Sequence, residues 1–121
     1  MKRNLIVFGL AILVLVLLLI WSQSSSKPNV DLTSFAQCLK EKKVTMYGAE
    51  WCKFCNRQKQ LFGTAFQFVP YVECPKQPNE CLAKGVNGFP AWIFPNGKKV
   101  EGLQSLERLA EESGCVLEIA K

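Results

Sequence analysis

The chain has 121 residues, six cysteines, no histidine and a formal net charge of +5. This length accommodates one domain of ordinary size. Because histidine is absent, Ser-His-Asp triads, Cys-His proteases and His-ligated zinc or haem are excluded. Two of the fifteen basic residues, Lys2 and Arg3, precede the first apolar segment. The remaining charges form no basic stripe, so we expect no nucleic-acid partner.

Residues 5–21 contain no charged or polar side chain. As a helix this segment would be about 25 Å long, the lower limit for crossing a bilayer. We therefore predict a transmembrane anchor at 1–21, a polar linker at 22–29 and one domain at 30–121. Since Lys2 and Arg3 flank the apolar run, the positive-inside rule places the N-terminus in the cytoplasm and the domain in the periplasm or outside the cell.

The alternative for the first segment is a cleaved signal peptide. A weak small-x-small site lies at 22–24, whereas the apolar run is longer than that of an ordinary signal peptide. Both interpretations export the domain.

The rest of the chain alternates helical and extended patterns. In chain order, the predicted elements are a helix capped by Asp31 or Thr33 and closed at 40–43, a strand at 44–48, a helix at 52–62 extended through 64–68, a strand at 69–74, a helix at 79–84, strands at 91–94 and 98–101 joined by an Asn-Gly turn, and a helix between Ser105 and Gly114. A βαβ unit followed by a hairpin and a helix predicts an α/β fold, in which helices cover both faces of a four-stranded mixed sheet.

Cys52 and Cys55 form a Cys-x-x-Cys motif where a strand gives way to a helix. Unpaired backbone N–H groups and the positive end of the helix dipole favour the thiolate of a cysteine at this place. A thiolate is the attacking species in disulfide exchange, and a second cysteine one turn later resolves the mixed disulfide. We therefore predict Cys52 as the nucleophile and Cys55 as the resolving thiol.

Two other roles for this pair are open. A zinc site would need a second close pair of cysteines, and the other spacings do not provide one. A purely structural disulfide would gain little from closing a two-residue loop. We expect no metal and no cofactor beyond the Cys52–Cys55 disulfide itself.

The motif and its surroundings resemble the thioredoxin superfamily through Trp51-Cys52-x-x-Cys55 and the downstream Gly88-Phe89-Pro90. More narrowly, the chain is similar to the thioredoxin-like domain associated with bacterial and plant homologues of vitamin K epoxide reductase. The motifs that carry this narrower resemblance are Met46-Tyr47-Gly48-Ala49, Gln58-Lys59-x-Leu61-Phe62-Gly63, Tyr71-Val72-Glu73-Cys74 and Glu101-Gly102-x-Gln104-Ser105-Leu106.

The resemblance implies roles for further residues. Pro90 would be the cis-proline beside the reactive pair, with Phe89 presenting its backbone to a substrate chain, and Trp51 would lie next to the active site. Without the resemblance, Pro90 reads as a trans turn proline and Trp51 as an ordinary core residue. The resemblance also implies a membrane-embedded, quinone-reducing partner similar to vitamin K epoxide reductase.

Lys53 and Phe54 occupy the two central positions of the motif, where this family often has Pro-His. A histidine there stabilises the thiolate and makes the couple more oxidising. Lys53 supplies positive charge, but as a mobile, exposed charge it should do less. We therefore infer the redox direction from the compartment and from the resemblance, and not from the central residues of the motif.

The four remaining cysteines permit three pairings. Cys74 and Cys81 enclose a short loop with two prolines, which favours a bridge between them and leaves Cys38 to pair with Cys115. Structural disulfides are the expected role, and a second redox pair at Cys74 and Cys81 is the alternative.

These observations predict a membrane-tethered, extracytoplasmic thiol–disulfide oxidoreductase. Its substrates would be protein thiols and disulfides, and its role would be oxidative disulfide formation with a partner similar to vitamin K epoxide reductase. A tethered reductant or isomerase, for example in cytochrome c maturation, is one alternative. A non-catalytic interaction domain held together by disulfides is the other.

Overall fold

The computed structural model describes residues 1–22 and 30–119. The predicted linker, apart from Ser22, and the last two residues lie outside this description. Helix α1, Lys2–Trp21, has a mean hydropathy of 2.9 over its most apolar window, and none of its residues is buried. It is long and apolar enough to span a membrane.

The remaining elements follow the predicted order. They are α2 (Thr33–Glu41), β1 (Thr45–Gly48), α3 (Lys53–Phe62), a 3₁₀ helix (Gly63–Phe68), β2 (Tyr71–Glu73), α4 (Pro78–Ala83), β3 (Ala91–Ile93), β4 (Lys99–Glu101) and α5 (Leu106–Ser113).

The four strands form one mixed sheet in the order β2-β1-β3-β4. Strand β1 is parallel to β2, with Tyr47 opposite Val72, and antiparallel to β3, with Met46 opposite Trp92. Strands β3 and β4 form an antiparallel hairpin. The predicted mixed sheet is confirmed, and the parallel pair brings the C-terminal ends of β1 and β2 to one edge.

Helices cover both faces of this sheet, because alternate residues of a strand point to opposite sides. Met46 and Trp92 belong to the main core, together with apolar residues of α2, α3 and α5. Tyr47 and Ala91 belong to a smaller cluster on the other face, which includes Cys81 of α4. The fold predicted from the sequence is therefore the observed one.

Several predicted boundaries were wrong by one or two residues. Strand β2 begins at Tyr71 and not at residue 69, because Pro70 has no N–H for the ladder. Helix α4 begins at Pro78, which takes the first helical position, and not at Asn79. Leu32 is the N-cap of α2, and the Asp31 carboxylate accepts a hydrogen bond from the Thr33 N–H at 2.9 Å.

Candidate active site

Cys52 is the N-cap of α3 and lies just beyond the end of β1. Its backbone is extended, and its Sγ accepts a hydrogen bond from the Cys55 N–H at 3.1 Å. A tight turn leads to it, in which the Cys52 N–H donates to the carbonyl of Ala49 at 3.1 Å. The predicted helix start at residue 52 is therefore one residue early, and Cys52 occupies the capping position itself.

This position favours a negatively charged sulfur on Cys52. The first N–H groups of a helix have no partner within the helix, and the dipole adds positive potential at this end. Cys52 is bonded to Cys55 in the structure, with a Cα–Cα distance of 5.2 Å. Cys52 is 7% exposed, whereas Cys55 is fully buried. Of these two cysteines, Cys52 is therefore the one that an external sulfur can reach.

The surface around Cys52 is apolar and exposed. Trp51 is 74% exposed and Phe54 is 56% exposed, so Trp51 is not a core residue. The Trp51 ring meets the ring of Phe89 edge to face, with centroids 6.0 Å apart. Lys53, which is also exposed, lies between Cys52 and Phe54 in the sequence. The fold thus brings Phe89 against Trp51, whereas Lys53 and Phe54 are exposed next to Cys52 because they follow it in the chain.

Pro90 immediately precedes β3 and is buried. The Phe89–Pro90 peptide bond is cis. The carbonyl of Pro90 accepts a hydrogen bond from the Gly102 N–H at 2.7 Å, which ties this segment to the end of β4. The neighbouring Phe89 is half-buried and packs against both apolar clusters of the fold.

The other four cysteines form two disulfides in the pairing that the sequence favours. Cys38 of α2 is bonded to Cys115, just after α5, and Cys74 is bonded to Cys81 of α4. The Cys38–Cys115 bridge ties α2 to the end of α5. The Cys74 N–H donates to the carbonyl of Gly48 at 2.8 Å, so the second bridge lies at the same sheet edge as the reactive pair.

Gln58 is a site residue that the sequence did not reveal by itself. It is fully buried on α3, one turn after Cys55. Its Oε1 accepts hydrogen bonds from Trp92 Nε1 at 3.3 Å and from the Gln104 N–H at 2.8 Å, and its Nε2 donates to the carbonyl of Gln104 at 3.0 Å. The sequence does contain a signal for its burial, because the helical spacing places Gln58 on the same face of α3 as Cys55 and Phe62.

A second set of polar contacts supports the turn before Cys52. Glu73, at the end of β2, accepts a hydrogen bond from the Glu50 N–H at 2.6 Å and another from the Tyr71 hydroxyl at 2.5 Å. Burial alone would raise the pKa of the Glu73 carboxyl, but these hydrogen bonds and the charges of Lys59 and Lys76 hold that pKa below its usual value. The carboxylate is therefore ionised at neutral pH. No local sequence pattern predicts these contacts, because they depend on the register of β1 against β2.

No protein-family model matches the chain. It is 37% identical over 106 residues to the thiol-disulfide oxidoreductase LTO1 of Arabidopsis thaliana, a match that covers 80% of this chain and 27% of the plant protein. The chain thus spans about a quarter of that relative's length.

Two solved thioredoxin structures are also similar. Oxidised thioredoxin from Plasmodium falciparum aligns with a TM-score of 0.46 and 16% identity, covering 64% of this chain and 88% of that one. Thioredoxin NaTrxh from Nicotiana alata aligns with a TM-score of 0.44 and 18% identity, covering 74% and 94%. The observed topology itself is decisive: with a β2-β1-β3-β4 sheet, a Cys-x-x-Cys at the start of α3 and a cis-proline before β3, the chain has a thioredoxin-like fold.

Proposed function

We propose that the domain after α1 is a thiol–disulfide oxidoreductase in which Cys52 is the nucleophile. The observation that carries this proposal is the position of the Cys52 Sγ at the N-terminus of α3, where it accepts the Cys55 N–H. The plant relative, whose name states this activity, covers most of the chain and supports the proposal.

The geometry supports exchange in two steps. When the pair is oxidised, a substrate thiolate attacks the Cys52 Sγ, the Cys52–Cys55 bond breaks, and Cys55 leaves as a thiolate that takes up a proton. A second substrate thiolate then attacks the substrate sulfur of the mixed disulfide and releases Cys52 as a thiolate. The substrate is oxidised by two electrons, and the Cys52–Cys55 disulfide is reduced to a dithiol. The reverse sequence reduces a substrate disulfide.

The substrates that fit this site are cysteines within polypeptides. Trp51 and Phe54 present apolar surface beside the Cys52 sulfur, and Phe89 extends it towards β3. Apolar side chains next to a substrate cysteine would bury this exposed area on docking. A small thiol such as glutathione offers no such area.

We further propose that the domain works in oxidative disulfide formation outside the cytoplasm, held to the membrane by α1. The apolar length of α1 and the positive charges of Lys2 and Arg3 favour this orientation. The resemblance of the sequence motifs points to a membrane partner similar to vitamin K epoxide reductase, which would reoxidise the Cys52–Cys55 dithiol and pass the electrons to a quinone.

The activity is tested by oxidation of a reduced polypeptide with the full chain in detergent micelles. The wild-type chain should form substrate disulfides, and Cys52→Ala should abolish this because no sulfur remains at the helix start. The double variant Cys38→Ala/Cys115→Ala is the control, since it removes two cysteines outside the motif, in α2 and just after α5, and should remain active. A wild-type chain that neither forms nor reduces substrate disulfides would support a non-catalytic interaction domain instead.

The direction is tested by the reduction potential of the Cys52/Cys55 couple. An oxidant should have a potential well above the value of about −270 mV typical of thioredoxin. A potential at or below that value would support a tethered reductant. Met46, six residues before Cys52 on β1, is buried. The resemblance implies that thioredoxins acting as reductants have a buried carboxylate at this position, so a methionine here favours the oxidant.

A further inference from the structure

The end of β1 leaves a narrow space that the sulfur of Cys55 and the phenol of Tyr71 both approach. A Cβ atom on Gly48 would lie 3.0 Å from the Cys55 Sγ and 3.2 Å from the Tyr71 Oη. Such distances are too short for a side chain larger than hydrogen without movement of its neighbours. The Cys55 Sγ and the Tyr71 Oη therefore border the same small space, which a side chain at position 48 would fill.

The phenol belongs to a hydrogen-bond chain with a fixed direction. The Tyr71 hydroxyl donates its proton to Glu73 Oε2 at 2.5 Å, and Glu73 Oε1 accepts from the Glu50 N–H at 2.6 Å. Because the phenol proton is committed to the carboxylate, only the lone pairs of the phenol oxygen remain available to a donor on the Gly48 side. A protonated thiol suits such an oxygen, whereas a thiolate does not.

Charged groups of both signs lie around the hydrogen bonds that link Tyr71, Glu73 and Glu50. Glu73 on β2 and Glu50 in the turn before Cys52 are negative. Lys59 of α3 has its Nζ 4.0 Å from the centroid of the Tyr71 ring, and Lys76 follows β2. Burial, followed by the hydrogen bond to Glu73 and the charges of Glu73 and Glu50, raises the pKa of Tyr71 far above its usual value. The phenol consequently stays protonated over the whole range in which thiols titrate.

We propose that Glu73, acting through the Tyr71 phenol, holds the proton on Cys55 in the reduced protein, and that Lys59 opposes it. Glu73 and Tyr71 are positioning residues, and this assignment rests on the proposed function of Cys52 and Cys55. Cys52, which faces helix N–H groups, is then the ionised sulfur, while Cys55 remains a thiol until it must attack. After exchange in the oxidising direction, the same groups favour protonation of the departing Cys55 thiolate.

The test is a pH titration of both thiols in the reduced full chain, followed through the ¹³Cβ resonances of labelled cysteines. In Glu73→Gln the proton affinity of Cys55 should fall about tenfold, because a nearby negative charge is removed. In Lys59→Gln it should rise, because a nearby positive charge is removed. Tyr71→Phe should act in the same direction as Glu73→Gln. Glu111→Gln and Lys40→Gln, which change exposed charges on α5 and α2, should leave the titration unchanged.

Opposite shifts for Glu73→Gln and Lys59→Gln distinguish an electrostatic role from loosened packing, which would move both variants alike. Shifts of the Cys55 titration in the same direction, or no shift in either variant, would overturn the proposal. If Glu73→Gln does not fold, the Cys55 titration in Tyr71→Phe is compared with that in Lys59→Gln instead. The titration needs no substrate. A chain that fails to oxidise substrates but shows the opposite shifts would therefore contradict the proposed function and leave the assignment of Glu73 intact.

Discussion

Gln58 illustrates how a single residue ties the reactive helix to the rest of the domain. Its side-chain amide bonds the indole of Trp92 in β3 and both backbone groups of Gln104, between β4 and α5. The Trp92 indole is fully buried and the Gln104 backbone groups are partly buried, so an unpaired donor or acceptor at these places is costly. Gln58 therefore fixes the orientation of α3 one turn after Cys55.

We expect Gln58→Leu to lower the free energy of unfolding by about 3 kcal/mol or more, because the substitution leaves several buried polar groups without partners. Gln60→Leu is the matched control, since Gln60 is exposed on the same helix and its replacement should change stability little. Urea denaturation followed by tryptophan fluorescence measures both. Equal losses in the two variants would show that the Gln58 hydrogen bonds do not stabilise the fold.

The Glu73 carboxylate makes stability depend on pH. Its pKa is lower in the folded chain than its ordinary value of 4.5, so its contribution is present above that value and is lost as the pH falls through the lower, folded pKa. The wild-type chain should thus be more stable than Glu73→Gln at neutral pH, and the difference should shrink on acidification below pH 4.5. Thermal denaturation across this range provides the measurement; a difference that is independent of pH would contradict the ionised role of Glu73.

The Cys-x-x-Cys pair could be predicted from the sequence, whereas its supporting contacts could not. The position of Cys52 follows from a local rule, since a Cys-x-x-Cys after a strand marks the start of a helix. The contact between Glu73 and the Glu50 N–H depends on which residues of β1 and β2 face each other, and on side-chain rotamers. Neither is encoded in the spacing along the chain.

The elements themselves were largely predictable because each has a local signal. The Asn-Gly turn predicted the β3–β4 hairpin, and the structure has Gly97 at φ 82°, in the left-handed region that favours glycine. Ser105 caps α5 by accepting from the Arg108 N–H at 3.1 Å, and Gly114 ends that helix. The predicted strand at 69–74 was too long, because Val69 and Cys74, which lie on either side of β2, are buried in the core and so continue its apolar pattern beyond Tyr71–Glu73.

The two disulfides outside the Cys-x-x-Cys motif should contribute unequally to the stability of these elements. Cys38 and Cys115 are 77 residues apart, whereas Cys74 and Cys81 are 7 apart, so the first bridge removes more entropy from the unfolded chain. We expect Cys38→Ala/Cys115→Ala to lose about 2–4 kcal/mol of unfolding free energy. Cys74→Ala/Cys81→Ala should lose less. Denaturant midpoints without reductant decide this, and a larger loss in the second variant would contradict the entropic argument.

At the scale of the whole molecule, α1 contrasts with the rest of the described chain. Every helix of the domain buries at least one residue, whereas α1 buries none. Its apolar surface therefore finds no cover within the described residues, and a bilayer is the environment that would provide it. The sequence predicted this helix because an uncharged apolar run of this length is a strong compositional signal.

We expect the full chain to remain in the membrane fraction after extraction at high pH. Leu13→Arg/Leu15→Arg should release it, because each charge near the centre of the helix costs about 2.5–3.5 kcal/mol on insertion. The melting temperature of the domain should stay unchanged, since neither leucine is buried in the fold. Protease added to spheroplasts, whose outer surface is the membrane that α1 would span, should digest the wild-type domain. Protection of the domain in intact spheroplasts would contradict the proposed orientation.

In the proposed exchange, Cys52 attacks or is attacked first and Cys55 resolves the intermediate. The decisive experiment is trapping of mixed disulfides in Cys55→Ser, expressed as the full chain, with the adducts identified by mass spectrometry. We expect covalent adducts through Cys52 that dithiothreitol releases and that disappear in Cys52→Ser/Cys55→Ser. If Cys55→Ser forms no adducts while Cys74→Ser captures substrates through Cys81, the assignment of the reactive pair is contradicted.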